Sequence, residues 1–399
     1  MSLPRGLGLA ALGAIIGIGA ARAAEPIRIG EINSYSALPA FTVPYRKGWQ
    51  LALDEINAAG GVNGRKIEVI SKDDGGKPGA ALTAANELTM QDGVVMLMGG
   101  FFSNIGLALG DYAAHRHVFY LAGEPLTDAM VWKDGNRYTF RLRPDNYEQA
   151  AMLADAAAKL PAKRWASIAP NYEYGQSAVR VFKQLLAKKR PDVQWVAEQW
   201  PPQGKIDAGA VAEAIAQAKP DAILNVTFGP DLVKLVREGE ARGLFKGVTV
   251  VSFLTGEPEY LEPMKAEAPS GWIVTGYPWY GIDTPAHKAF LDAYETKYHQ
   301  HPYMGSVVGY TEMKVAAAIL AKAGGTETDK LIAAAEGLSV PSPFGEITLR
   351  RIDHQSTLGT YLGKTALKND SGVMVDFRYE PGQDFLPSDA EVRAMRPQG

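Results

Sequence analysis

The sequence predicts an α/β protein built from two doubly wound parallel sheets. Three observations carry this. Strand-like and helix-like segments alternate through most of the chain, the pattern of parallel sheets with helical crossovers. A βαβ unit opens the series between Ile27 and Asp74. The length of 399 residues exceeds the roughly 250 to 300 at which one hydrophobic core stops growing, so two lobes are expected.

The opening unit is the clearest. Ile27 to Ile32 reads as a strand, and Trp49, Leu53 and Ile56 then share one helical face that Ala52 widens, while Asp54 and Glu55 lie off it. Gly60-Gly61 stops that helix by supplying the positive φ that a side chain resists. A second strand, Ile67 to Ile70, closes at the turn residues Asp73-Asp74. Strands Val94 to Met98 and Val118 to Leu121 follow, with helices Ala80 to Met90 and Ile105 to Ala114. A second series runs through helix Tyr147 to Lys159, strand Trp165 to Ala169, helix Gln176 to Lys188 and strand Val193 to Val196. It continues through helix Ala208 to Ala218, strand Ala222 to Val226, helix Asp231 to Ala241, and strands Val248 to Val251 and Trp272 to Val274. After Tyr280 the pattern changes to long helices, Pro285 to His299 and Ser306 to Ala323, then short strands at Ile347 to Leu349, Tyr361 to Gly363 and Val373 to Tyr379.

The N-terminus reads as a cleaved secretory signal over residues 1–23: Arg5 in a short basic region, an apolar run from Leu7 to Ala20, and Ala21-Arg22-Ala23 as the small-x-small site. The apolar run falls short of the ~20 residues that span a bilayer. There is no cysteine, so neither a disulfide framework nor thiolate chemistry nor a lipidated Cys is expected. The expectation is a protein free in a periplasm. A formal net charge of −3 offers no electrostatic footprint for nucleic acid.

Two segments repeat one device. VFYLAGEPLTD at Val118 to Asp128 and VVSFLTGEPEYL at Val250 to Leu261 each place Gly-Glu-Pro after an apolar strand, ahead of a helix-like segment. Glu124 and Glu257 thus stand at the C-terminal ends of parallel strands, where open α/β sheets bind ligands. Each glutamate could equally be a first-turn acid beside a helix N-terminus, with Pro125 and Pro258 at the first helical position. As a pair they could formally be the acid and base of a glycosidase, which nothing else supports. His115-x-His117 and His299-x-His301 lack partners at metal-ligand spacing, so no metal and no cofactor is expected. Gly305 to Gly309 is not a nucleophile elbow, and Asp73 to Pro78 lacks the spacing of a phosphate loop.

The segment EINAAGGVNGRKIE with its acidic pair resembles the leucine/isoleucine/valine-binding family of ABC-importer solute-binding proteins. So do Leu97-Met98-Gly99-Gly100, Asn171 to Gln176, Gly229-Pro230-Asp231 and Val308-Gly309-Tyr310. The resemblance covers nearly the whole chain after the signal. It implies a type I periplasmic binding protein whose lobes are joined by three crossovers: residues 25–144 and 277–350 in the first lobe, 145–276 and 351–399 in the second. It implies a monomer that captures a small amino-acid-like or carboxylate solute and delivers it to an inner-membrane ABC permease. Two rival classes are a ligand-sensing module of the same fold and an exported hydrolase using the two glutamates.

Carried over by residue, the resemblance places a carboxylate-binding hydroxyl at Ser103 and backbone contacts at Ala122 and Gly123. It places aromatic contacts at Phe41, Tyr174, Phe228 and Trp279, any of which could instead be ordinary packing. Ungapped alignment puts Thr255 where amino-acid binders carry the ammonium-pairing glutamate, with Glu257 two residues on. Phe101-Phe102 is bulkier than the family's usual residues at the carboxylate loop. These departures favour an apolar or aromatic carboxylate, or an uncommon amino acid, with Phe102, Glu124, Thr255 and Glu257 completing the candidate site.

Overall fold

The computed structural model describes residues 25–396; the expected signal segment lies outside them. In the first lobe, β1 (Ile27–Asn33), α1 (Pro39–Ala58), β2 (Ile67–Asp73), α2 (Pro78–Met90), β3 (Met96–Gly99), α3 (Ser103–Arg116), β4 (Phe119–Ala122) and β5 (Thr139–Arg141) form a parallel sheet of order β2-β1-β3-β4-β5. The chain then crosses to α4 (Asn146–Ala157), β6 (Arg164–Ile168), α5 (Glu173–Lys189), β7 (Gln194–Gln199), α6 (Ala208–Ala218), β8 (Ala222–Asn225), α7 (Gly229–Ala241), β9 (Thr249–Gly256), α8 (Pro258–Met264) and β10 (Ile273–Gly276). It returns to the first lobe as α9 (Pro285–Tyr298), α10 (Met304–Ala323), α11 (Thr328–Ala335) and the hairpin β11 (Ser339–Ser342) and β12 (Gly345–Thr348). A third crossing leads to β13 (Thr360–Lys368) and β14 (Ser371–Glu380), antiparallel additions to a sheet of order β14-β13-β10-β9-β8-β6-β7, and then to α12 (Asp389–Met395). Of the segment 351–399 expected in the second lobe, the described part does not stay wholly with the second sheet: Val392 of α12 packs with Val131 and Trp132, and Arg396 donates to the carbonyls of Val131 and Asn136.

Strands β3 (MLMG), β4 (FYLA) and β8 (AILN) are buried throughout. Helices cover both faces of a parallel sheet, so its strands read as apolar runs rather than alternations. The first crossing is pinned by a polar network with no exposed member: the Arg141 guanidinium donates to Asp145 Oδ2, to the Thr127 carbonyl and, at 2.6 Å, to Gln355 Oε1 on the third crossing. Asp145 also caps α4 in a reciprocal box with Glu148.

Two expectations are corrected and a third is met. Helix α1 starts at Pro39, not near Trp49, because Pro39 suits a first turn and Pro44 inside the helix is accommodated; Phe41 therefore stands on a helix rather than in a loop. The first Gly-Glu-Pro starts no α-helix, only a turn of 3₁₀ helix at Asp128–Met130. Gly60 and Gly61 do hold positive φ (107° and 79°) just past the end of α1.

Candidate functional site

Each sheet reverses its strand order once, and the cleft between the lobes opens outside the strand ends at these switch points, where doubly wound sheets bind ligands. A cavity with about 370 Å³ of empty space, mouth included, lies there. The first lobe contributes Phe41 from the first turn of α1, Phe101 and Ser103 at the start of α3, Glu124 and Leu126 after β4, and Arg143 after β5. The second contributes Tyr172 and Tyr174 at the start of α5, Phe228 at that of α7, Leu254 near the end of β9 and Tyr260 on α8. Leu254 holds φ +61°, a conformation that costs a non-glycine residue energy and is retained where the surroundings impose it.

The walls are mostly aromatic, and the rings touch one another. Phe41 meets Tyr260 at 5.1 Å and Phe101 at 6.0 Å between centroids, and Tyr174 meets Phe228 edge-on at 5.6 Å and Tyr172 at 6.0 Å. Phe102 stands behind this wall, against Phe101 and Tyr172.

The polar groups centre on Arg143. Its buried guanidinium donates to Glu257 Oε1 of the second lobe and stands 3.7 Å from Glu124 Oε1 of the first. Burial penalises all three charges. It pushes the Glu124 carboxyl up to about 8, an effect that Arg143 opposes and the Glu257 charge adds to. Glu257 is also raised by burial, against the pull of Arg143. Burial alone would lower the Arg143 pKa, but the two carboxylates hold it above its ordinary range. Glu124 Oε2 and Tyr174 Oη are buried and find no hydrogen-bond partner among the described residues.

Of the residues singled out in the sequence, Phe41, Ser103, Glu124, Tyr174 and Phe228 line the cavity, and Glu257 reaches it through Arg143. Five do not line it. Phe102 is covered by Phe101, and Thr255 turns its hydroxyl to Ser252 at 2.7 Å. Trp279 stacks on His301 at 4.2 Å. The Ala122 carbonyl accepts from Leu142, and the Gly123 amide donates to the Gly99 carbonyl. Ser103 Oγ accepts from the amides of Leu126 and Thr127, at 3.3 and 3.2 Å. Sequence reasoning missed Arg143, Tyr172 and Tyr260. Tyr172 lay inside the quoted segment Asn171 to Gln176, and Tyr260 three residues past Glu257, so helix-start spacing could have found both; Arg143 follows a strand of only three residues, too short to show a period.

Polar links also close the cleft at its flanks. Glu262 on α8 accepts from Tyr303 Oη at 2.8 Å and lies 2.7 Å from His301 Nε2 across the cleft. Glu259 accepts from the Gly305 amide at 3.0 Å. On the opposite flank Thr127 Oγ1 donates to Glu173 at 2.6 Å and Arg180 to Asp128 at 2.7 Å.

Two lobes closed over one small cavity define a solute-binding protein. The periplasmic binding protein family model matches residues 26–370, and the chain belongs to that family. A Leu/Ile/Val-binding protein homologue of Brucella abortus is 23% identical over 379 residues, covering 88% of this chain and 87% of its own. A Rhodopseudomonas palustris ABC-transporter solute-binding protein in complex with 3,4-dihydroxybenzoic acid superposes with TM-score 0.80 at 22% identity, over 90% of this chain and 98% of the other. A Streptococcus pneumoniae branched-chain amino acid transporter substrate binding protein in complex with isoleucine superposes with TM-score 0.77 at 22% identity, over 89% and 99%. This is a solute-binding rather than a catalytic family, and among the described residues no His/Asp/Glu group could hold a metal ion.

Proposed function

We propose that the protein is the monomeric, periplasmic receptor of an ABC importer, released from its signal segment, which captures one small solute between its lobes and hands it unchanged to the inner-membrane permease. The observation that carries the reading is the cavity itself, closed by both lobes at the strand ends and walled by aromatic rings. Such walls suit a solute with an apolar or aromatic body and few polar groups. The relatives' solutes, an aliphatic amino acid and an aromatic acid, are of that kind. The hinge would open and shut at the three crossings, as in other binding proteins of this kind.

A thermal-shift panel of amino acids, organic acids and amines tests the reading, since ligand at about 100 times its dissociation constant stabilises by roughly 2.7 kcal/mol. At least one member should raise the melting temperature, and Phe228→Leu, which removes an aromatic face worth about 0.5 to 1.5 kcal/mol, should weaken its binding several-fold. A ligand whose affinity Phe228→Leu leaves untouched would place binding elsewhere.

A further inference from the structure

We infer that Glu312 of α10, which does not line the cavity, is a positioning residue of the solute site: its buried carboxyl holds the two first-lobe loops that face the solute at a fixed spacing. This rests on the solute-binding reading above and deepens it.

The two loops follow β3 and β4. The first carries Phe101 and Ser103 to the cavity wall, and the second carries Glu124 and Leu126. The two strands pair for the last time at Gly99 and Ala122, so beyond that point the sheet ladder no longer sets how the loops lie against each other. The Gly99 carbonyl accepts from the Gly123 amide and from Tyr120 Oη, both at 3.0 Å. The Gly99 amide is taken by Glu312.

Three contacts place that carboxyl. Its Oε1 accepts from the Gly99 amide at 2.8 Å, and its Oε2 accepts from Tyr45 Oη of α1 at 2.7 Å. A Cβ on Gly123 would lie 2.4 Å from Oε2, so the same group rests directly against the backbone of the second loop. One carboxyl therefore meets the first loop by a hydrogen bond and the second by close packing, and is itself steadied by α1.

The surroundings argue against mere space filling. Glu312 is fully buried, and the positions that share its helix face, Val308, Val315, Ala316 and Ile319, are apolar and buried. An apolar side chain at 312 would avoid the cost of burying a carboxyl. What it could not supply is an acceptor for the Gly99 amide, and a buried donor left without one is costly. The titratable groups around it are Tyr45 of α1, Glu31 of β1, Tyr120 of β4 and Glu124 beyond β4. Burial pushes the Glu312 carboxyl up to about 8; the Tyr45 and Gly99 bonds oppose the rise, and Glu31 and Glu124 add to it. At neutral pH the group is thus the neutral acid, and glutamine mimics it: the amide oxygen accepts from Gly99 and the NH2 donates to Tyr45 Oη. Methionine keeps the bulk and removes the acceptor.

Hydrogen exchange read by mass spectrometry, together with calorimetric titration of L-leucine and benzoate, tests this on the mature chain at pH 7. Glu312→Met should speed exchange in peptides over residues 97–106 and 120–127 by about tenfold or more, the effect of one buried amide losing its acceptor, while α5 and α7 of the second lobe exchange as in the wild type. It should weaken whichever of the two solutes binds by a similar factor. Glu312→Gln should stay close to the wild type in both readouts. A methionine variant that binds and exchanges like the wild type, or a glutamine variant as impaired as the methionine one, would overturn the inference and leave the solute-binding reading standing. If the wild type binds neither solute, exchange decides: faster exchange confined to the two loops supports the role, and unchanged protection contradicts it. Should Glu312→Met not fold, Tyr45→Phe, which removes one hydrogen bond from the same carboxyl, carries the test: several-fold faster exchange over 97–106 is expected, and none contradicts the proposal.

Discussion

At Arg143 one guanidinium serves a glutamate from each lobe, so this residue links the closed arrangement to the chemistry of the cavity. Removing it leaves two buried carboxylates without a counter-charge, a defect that costs about 3 to 5 kcal/mol when one partner of a buried pair is lost. Arg143→Met should lower unfolding free energy by that order in urea at pH 8, and by less at pH 5, where the Glu124 carboxyl, raised to about 8, holds a proton and needs no cation. An equal loss at both pH values would show that the guanidinium acts through packing alone. The residue was not legible in the sequence. Glu124 and Glu257 were, because each follows an apolar strand and precedes a proline; what joins them is a contact through Arg143 between segments distant in sequence, which no local pattern encodes.

Elements were more legible than contacts. Helices with a clear stripe and a glycine stop emerged from periodicity, as did the apolar strands of both sheets, whereas β5 and the hairpin β11–β12 were too short to show it in full. Among the described residues the most extensive contact between two elements is that of α1 with α10, the latter arriving from far along the chain. A Cβ on Gly48 would lie 2.1 Å from the Ser306 carbonyl oxygen, and one on Gly309 2.1 Å from that of Tyr45. Backbone there lies directly on backbone, so no side chain can yield. Gly309→Ala should destabilise by about 1 to 3 kcal/mol or more, the cost of overpacking a filled interior, read as a drop in melting temperature. An alanine variant that melts with the wild type would mean the two helices are further apart than described. Such a glycine looks like any other in the sequence, since it is a helical position whose requirement comes only from its neighbour.

At the scale of the whole molecule, the parallel sheets, their switch points and the three crossings put the cavity where both lobes must contribute to it. The doubled series of strands and helices was readable from the sequence, and the family resemblance supplied the crossings. Closure was not readable, because its links join residues distant in sequence: Glu262 to His301 and Tyr303 on one flank, Asp128 to Arg180 on the other. These links hold the two lobes against each other on either side of the cavity. The central claim is that the lobes shut over a solute, and small-angle X-ray scattering of the mature chain, alone and saturated with the ligand that raises its melting temperature, measures this most directly. The radius of gyration should fall on saturation, in a single step with one ligand per chain. A ligand that binds at that stoichiometry and leaves the scattering unchanged would contradict capture between the lobes.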